Sequence, residues 1–166
     1  MGKKFIEQHG LWTEGQKAAA SEALKRIEAQ GIQIVRLSWP DQYGLLRGKS
    51  LSVSALKSAF ESGSEITMAP FLLDTANNIF VNPFDAGGGL GNSEMSGVRN
   101  IVMVPDPTTF RVLPWADRTG WLLADLYTRA GRPFPLSPRA FLKSALSRLE
   151  GKGYRFNAGL EVEFYL

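Results

Sequence analysis

The stretch that most constrains the fold is Tyr154 to Leu166, which reads Y-R-F-N-A-G-L-E-V-E-F-Y-L. Tyr154, Phe156, Ala158, Leu160, Val162, Phe164 and Leu166 are apolar, while Arg155, Asn157, Gly159, Glu161 and Glu163 between them are polar or glycine. A period of two over this length predicts a β-strand with one buried face. On the other face Glu161 and Glu163 stand at i and i+2, roughly 6.5–7 Å apart by the rise of a strand, with Gly159 clearing space beside them. Paired carboxylates suit a hard divalent cation, because Mg²⁺ takes oxygen ligands and keeps waters or substrate phosphates in its other positions. The plain alternative is that both acids are simply solvated on the wet face of a half-buried strand. The pattern has no terminator and stops on Leu166 in mid-alternation, so the expectation is a truncated chain.

Composition narrows the classes. A length of 166 residues suits one ordinary domain, or a small domain plus the start of another. With 44% apolar, 11% aromatic and 21% charged residues, the sequence is that of a globular protein with a core. The net charge of +3 comes from scattered Lys and Arg rather than a basic stripe, so nucleic acid is not an expected partner. The absence of cysteine removes disulfides and thiolate chemistry, and the single histidine, His9, lies in an expected N-terminal tail. No apolar run reaches the roughly 20 residues of a membrane span, and the N-terminus lacks an apolar leader core. A cytoplasmic location is the expectation.

Along the chain, residues 1–12 carry no periodicity and read as a tail. Thr13-Glu14-Gly15-Gln16 matches a capping box, followed at helical spacing by Ala20, Ala23, Leu24 and Ile27, with a stop at Gln30-Gly31. Ile32–Leu37 and Leu45–Leu51 predict a hairpin around the Trp39–Gly44 turn. Ser52 caps a helix carrying Ala55, Leu56, Ala59 and Phe60, which ends at Ser62-Gly63. Phe71–Asp74 and Ile79–Asn82 read as short strands. The glycine run from Gly87 to Gly91 lacks both G-x-G-x-x-G and a G-K-[ST] ending, so it reads as a flexible loop rather than a phosphate cradle. Asn100–Val104, Phe110–Leu113 and Gly120–Tyr127 predict strands, with a turn at Pro105-Asp106-Pro107. The order of elements resembles a β-grasp domain. Arg129–Leu136 reads as a linker, and Ser137-Pro138 opens a helix with Phe141, Leu142, Ala145, Leu146 and Leu149 on one stripe before Gly151.

The segments V-P-D-P-T-T-F near residue 104, L-P-W at 113, A-D-L-Y at 124, P-F-P-L-S-P-R at 133 and G-L-E-V-E-F-Y-L at 159 together resemble the glutamine synthetase superfamily, from about Ile32 to Leu166. Leu72-Leu73-Asp74-Thr75-Ala76 stands where ordinary glutamine synthetases carry F-D-G-S-S, which is more similar to the branch that γ-glutamylates polyamines or other amines. The resemblance implies an α+β fold: residues 1–31 a tail and helix, 32–127 a β-grasp-like domain with a helix on a mixed sheet, 128–136 a linker, and 137–166 the first helix and strand of a truncated catalytic domain. It implies that Glu161 and Glu163 are the first two glutamates of a Mg²⁺ or Mn²⁺ site, and that Asp74 reaches a neighbouring subunit's active site to help bind ammonium or an amine. Capping a turn is the alternative role of Asp74. Arg47-Gly48-Lys49 resembles the family's hairpin signature and reads as structural or as a subunit contact. No nucleotide-binding residue is assigned within the chain. The implied activity is an ATP-dependent ligase that joins glutamate to ammonia or an amine through an acyl phosphate, in a homo-oligomer, with the 166-residue chain inactive by itself. The competing readings are a β-grasp interaction or assembly module without chemistry, and a regulatory homologue that has lost catalysis.

Overall fold

A computed structural model describes residues 2–166, the side chain of Glu94 excepted. The N-terminal residues are not a tail. A single helical turn, α1 (Phe5–Gln8), buries Ile6 against Val102 and Val104, and the Trp12 indole N–H donates to the Pro105 carbonyl at 2.9 Å. One aliphatic side chain and one indole therefore dock a segment that has no periodicity of its own. Helix α2 (Glu14–Ala29) starts as its sequence predicts. The Thr13 hydroxyl accepts from the Gln16 amide, and the Gln16 side chain accepts from the Thr13 amide at 3.0 Å, satisfying backbone groups that a helix end leaves open.

The hairpin forms from β1 (Ile34–Pro40) and β2 (Leu46–Ser52), paired antiparallel, and α3 (Val53–Ser62) follows with the Ser52 hydroxyl as its cap. Gly63 then reverses the chain at φ 69°, a conformation that favours glycine. It leads into β3 (Ser64–Thr67), a short strand with too little apolar pattern to announce itself, since it carries only Ile66. The long strand β4 (Asn100–Val112) and β5 (Thr119–Tyr127) complete one five-stranded sheet in the order β2-β1-β5-β4-β3, with β1 and β5 parallel and the remaining pairs antiparallel. The expected strands at Phe71–Asp74 and Ile79–Asn82 are not strands. Ala69–Leu72 is a 3₁₀ turn, and a lone bridge from Leu73 to Ile79 is all that remains of the pairing. Proline at position 70 and the apolar anchors Phe71 and Leu72 favour the tighter turn.

Pro105-Asp106-Pro107 is likewise no turn. β4 runs through it, and the register against β5 shifts between Asp106 and Arg111. Pro107 falls within that shift, where a strand tolerates proline because no ladder hydrogen bond is lost. The Thr109 hydroxyl replaces part of the ladder by donating to the Asp106 carbonyl at 2.7 Å and accepting from the Leu123 amide at 2.9 Å.

The main core lies on one face of the sheet, where Val35, Leu37 and Trp39 of β1 and Leu122, Ala124 and Leu126 of β5 meet Ala20, Ala23 and Ile27 of α2 and Leu56 and Phe60 of α3. Trp39 stacks on Phe71 and Phe134 meets Phe71 edge-on, with centroid spacings of 4.8 Å at each contact. Phe134 is buried, so the segment expected as a linker packs onto the core through this ring. Helix α4 (Pro138–Glu150) opens as its sequence predicts, with the Ser137 hydroxyl accepting from the Ala140 amide at 3.3 Å. Its apolar stripe is not buried, and Phe141 and Leu142 are exposed.

The closing strand predicted for Tyr154–Leu166 does not form. Residues 154–166 have no regular secondary structure and every one of them is exposed. Alternation makes a strand only when a neighbour supplies the ladder and the cover, and among the described residues nothing pairs with this segment.

Candidate functional site

The three acids singled out in the sequence lie in two places. Asp74 sits in a five-residue turn closed by the Leu73–Ile79 bridge. Its Oδ1 accepts from the Ala76 and Asn78 amides, both at 2.8 Å, so it does cap a turn. The turn is held from outside as well. Gln42 Nε2 donates to the Leu73 carbonyl at 3.0 Å, and Arg47 Nη2 donates to Asn77 Oδ1 at 3.2 Å. Asn77 itself adopts φ 62°, which asparagine tolerates better than most residues. Oδ2 of Asp74 carries no hydrogen bond among the described residues and remains available to a ligand.

Within Arg47-Gly48-Lys49, Arg47 is the residue that braces this turn. Arg47 Nε donates to Oδ2 of Asp41 at 2.7 Å, and the Asp41 side chain is fully buried. Burial alone would raise the Asp41 pKa, but the Arg47 bond and the amides of Tyr43 and Leu45 outweigh it and hold the carboxyl below its ordinary value. A Cβ at Gly48 would lie 2.1 Å from the Leu37 carbonyl oxygen, so close strand approach requires glycine there. Lys49 reaches the Glu65 carbonyl across the curled sheet.

Glu161 and Glu163 lie apart from this, on the exposed segment after α4. Neither makes a hydrogen bond or ion pair, and among the described residues no group of three His, Cys, Asp or Glu side chains comes together. Their donor chemistry, carboxylate oxygens alone, fits Mg²⁺ or Mn²⁺ and not a soft metal.

What connects the sheet to that segment is a charge cluster that sequence reasoning missed. Asp106 on the bulge and Asp125 on β5 face Arg139 and Lys143, one turn apart on α4. Arg139 bonds Asp106 through Nη2 and Asp125 through Nε, the latter at 2.8 Å, while Lys143 meets Asp125 at 2.5 Å and Asp106 at 3.6 Å. Gln16 at the start of α2 adds a bond to Asp106 at 3.4 Å. Burial works against the charge on Asp106. The Thr108 hydroxyl, Lys143, Arg139 and Gln16 together overcome it, so its carboxyl ionises below the ordinary range. The same burial, with Asp125 and Asp106 nearby, pushes the Tyr127 phenol up, and it stays protonated at neutral pH. Both acids and the arginine come from segments that carry the family resemblance, V-P-D-P, A-D-L-Y and S-P-R. A charged residue inside each otherwise apolar stretch was the available signal.

No protein-family profile matches the chain. It is 55% identical over 165 residues to the gamma-glutamylanilide synthase of Acinetobacter sp, a match covering 98% of this chain and 33% of that protein. It is 33% identical over 141 residues to the glutamate-isopropylamine ligase of Pseudomonas sp, covering 84% of this chain and 29% of that one. Among solved structures, "GmaS/ADP complex-Conformation 1" superposes with a TM-score of 0.56 at 32% identity over 81% of this chain and 26% of that chain. "Apo GmaS without ligand" gives 0.57 at 29% identity, over 78% and 26%. The fold is thus shared with these GmaS structures. The chain belongs to the glutamine synthetase superfamily. It spans about a third of the length of the curated relatives it matches.

Proposed function

We propose that this chain forms the N-terminal part of an ATP- and divalent-metal-dependent ligase that joins the γ-carboxyl group of glutamate to an amine. The observation that carries the reading is the 55% identity to a gamma-glutamylanilide synthase across nearly the whole chain, and it makes an arylamine the acceptor in this proposal. The sheet order, with its first and last strands parallel at the centre, supports a β-grasp domain, and α4 with the segment after it begins the catalytic domain.

The chemistry divides into two displacements. The γ-carboxylate attacks the terminal phosphorus of ATP, releasing ADP and leaving an acyl phosphate. The amine nitrogen then attacks the acyl carbon, the C–O bond to phosphate breaks, and one N–H proton is lost. Glu161 and Glu163 would hold Mg²⁺ or Mn²⁺, which neutralises charge on the transferred phosphoryl group. Asp74 acts in a neighbouring subunit's site within a homo-oligomer. Its free Oδ2 accepts the N–H of the incoming amine, and a carboxylate so placed orients the lone pair and receives the proton. The turn bonds on Oδ1 fix its direction, the kind of preorganisation that positioning demands.

The test is phosphate release with ATP, glutamate and aniline. The 166-residue chain alone is expected to be silent. Joined in frame to the remainder of the Acinetobacter synthase in place of that enzyme's matching third, it is expected to turn over. Silence from a folded chimera, with the parent synthase active, would refute the proposal.

A further inference from the structure

The chemistry proposed above gives no part to Arg47, whose guanidinium reaches the Asp74 turn from 30 positions away in sequence. Its two ends do different things. Nε donates at 2.7 Å to a carboxylate that is itself fixed: Oδ1 of Asp41 accepts from the Tyr43 and Leu45 amides at 2.9 and 3.0 Å, and the Asp41 amide donates to the Leu45 carbonyl at 2.9 Å. The Asp41 side chain is wholly buried and that of Arg47 is 27% exposed, so this end is a charge-assisted bond held largely out of water. Nη2 is the other end, and it donates at 3.2 Å to Oδ1 of Asn77, a neutral acceptor at the surface. Asn77 is a firm point of attachment, because its own amide donates to the Asp74 carbonyl at 3.0 Å. The turn's internal bonds on Asp74 give it its shape, and Arg47 ties that shape to the sheet.

We infer that Arg47 is a positioning residue for the acceptor step, a strut from the Asp41 carboxylate that aims the Asp74 turn through Asn77. The inference rests on the ligase reading above, in which Asp74 meets the amine. A guanidinium suits the task because its donors lie in one rigid plane, so fixing Nε against Asp41 also fixes where Nη2 points. A lysine ammonium is a point charge on a flexible stem. It can neutralise Asp41, but it carries no direction for Asn77. Arg47 touches no reacting atom in this scheme. Its loss would let a carboxylate drift, and a misplacement of about 1 Å can cost on the order of a hundredfold in rate.

The experiment separates the strut from the fold. Arg47→Lys keeps a cation for Asp41, and Asn77→Gly removes the side-chain acceptor while keeping a residue at ease in the left-handed backbone of that position, φ 62°. In the chimera described above, each is expected to lower kcat/KM for aniline roughly tenfold or more, with KM for ATP and for glutamate within about twofold of the unsubstituted protein. The double variant is expected to lose little more than the worse single one, because both substitutions remove the same bond. In the 166-residue chain, hydrogen exchange across residues 74–80 should quicken in both variants while β1 and β2 keep their rates, since an untied turn opens more often. Losses that add in the double variant, or kinetics that do not change in an active chimera, would overturn the inference. A merely structural arginine would lower the urea midpoint together with every kinetic constant, and that result would overturn it as well. A folded chimera silent on aniline before any substitution defeats the ligase reading instead. Exchange then decides the strut alone, and unchanged rates across 74–80 would overturn it.

Discussion

At the scale of single residues, the most informative group is Asp106. It is a nearly buried carboxylate on a strand interrupted by two prolines, and it keeps its charge because four donors converge on it. Removing Arg139 leaves two largely buried carboxylates to share Lys143 alone, and breaking a buried ion pair typically costs about 3 kcal/mol or more. Arg139→Ala is therefore expected to lower stability by about 3 kcal/mol, seen as a lower urea midpoint with an unchanged slope. The same acids set the response to pH. The carboxyls of Asp41, Glu65 and Asp106 all ionise below their ordinary values in the folded chain, Glu65 because Arg129 and Asn100 bond it. A depressed folded pKa contributes stability that is fully present above the unfolded value near 3.9 and is lost as the pH falls through the folded value. Stability should accordingly be flat from pH 7 to about 5 and fall steeply below about pH 4. In Arg139→Ala the fall should begin at higher pH. A urea midpoint that stays level down to pH 3 would contradict this account of the cluster.

At the scale of elements, the parts legible in the sequence are those whose cause is local. Thr13 and Gln16, Ser52, and Ser137-Pro138 each satisfy open amides within three residues, so their helices begin where the sequence places them. The hairpin of β1 and β2 was equally legible, since its turn and both strands are contiguous. What escaped depends on distant partners. β3 exists because Ser64–Thr67 finds the edge of β4, and α1 because Ile6 finds Val102 and Val104. The bulge at Asp106 replaced a turn because Thr109 supplies ladder bonds that no propensity foretells. The ion cluster joins residues 14 and 33 positions apart in sequence. Tyr154–Leu166 fails in the opposite sense, for its alternation is plain but its partner strand is missing among the described residues. Amides of residues 155–166 are expected to exchange with solvent at nearly unprotected rates while those of β5 are the slowest in the chain. Measurable protection across 160–164 in the isolated chain would contradict the absence of a ladder there.

At the scale of the whole molecule, apolar groups are unevenly covered. The sheet, α2 and α3 close one core, while α4 and the following segment present Phe141, Leu142, Leu160, Val162 and Phe164 to solvent. An exposed apolar surface of this kind promotes association, so the isolated chain should self-associate at micromolar concentration and bind a hydrophobic dye, as sedimentation velocity and fluorescence can measure. The charge cluster holds α4 to the sheet, and through α4 it sets where Glu161 and Glu163 begin their course. Asp74 is braced separately by the hairpin. The Asp74 turn is thus braced from the β2 edge of the sheet, and α4 is held over the interior strands β4 and β5.

The central claim, that Glu161 and Glu163 are metal ligands, is met most directly by titrating Mn²⁺ into the chimera and its Glu161→Gln and Glu163→Gln variants, with bound ion read by electron paramagnetic resonance. The account predicts that each substitution weakens Mn²⁺ binding about 10- to 100-fold, by analogy with other changes around metal ligands, while sedimentation stays unchanged. Binding as tight in both variants as in the unsubstituted protein would contradict it.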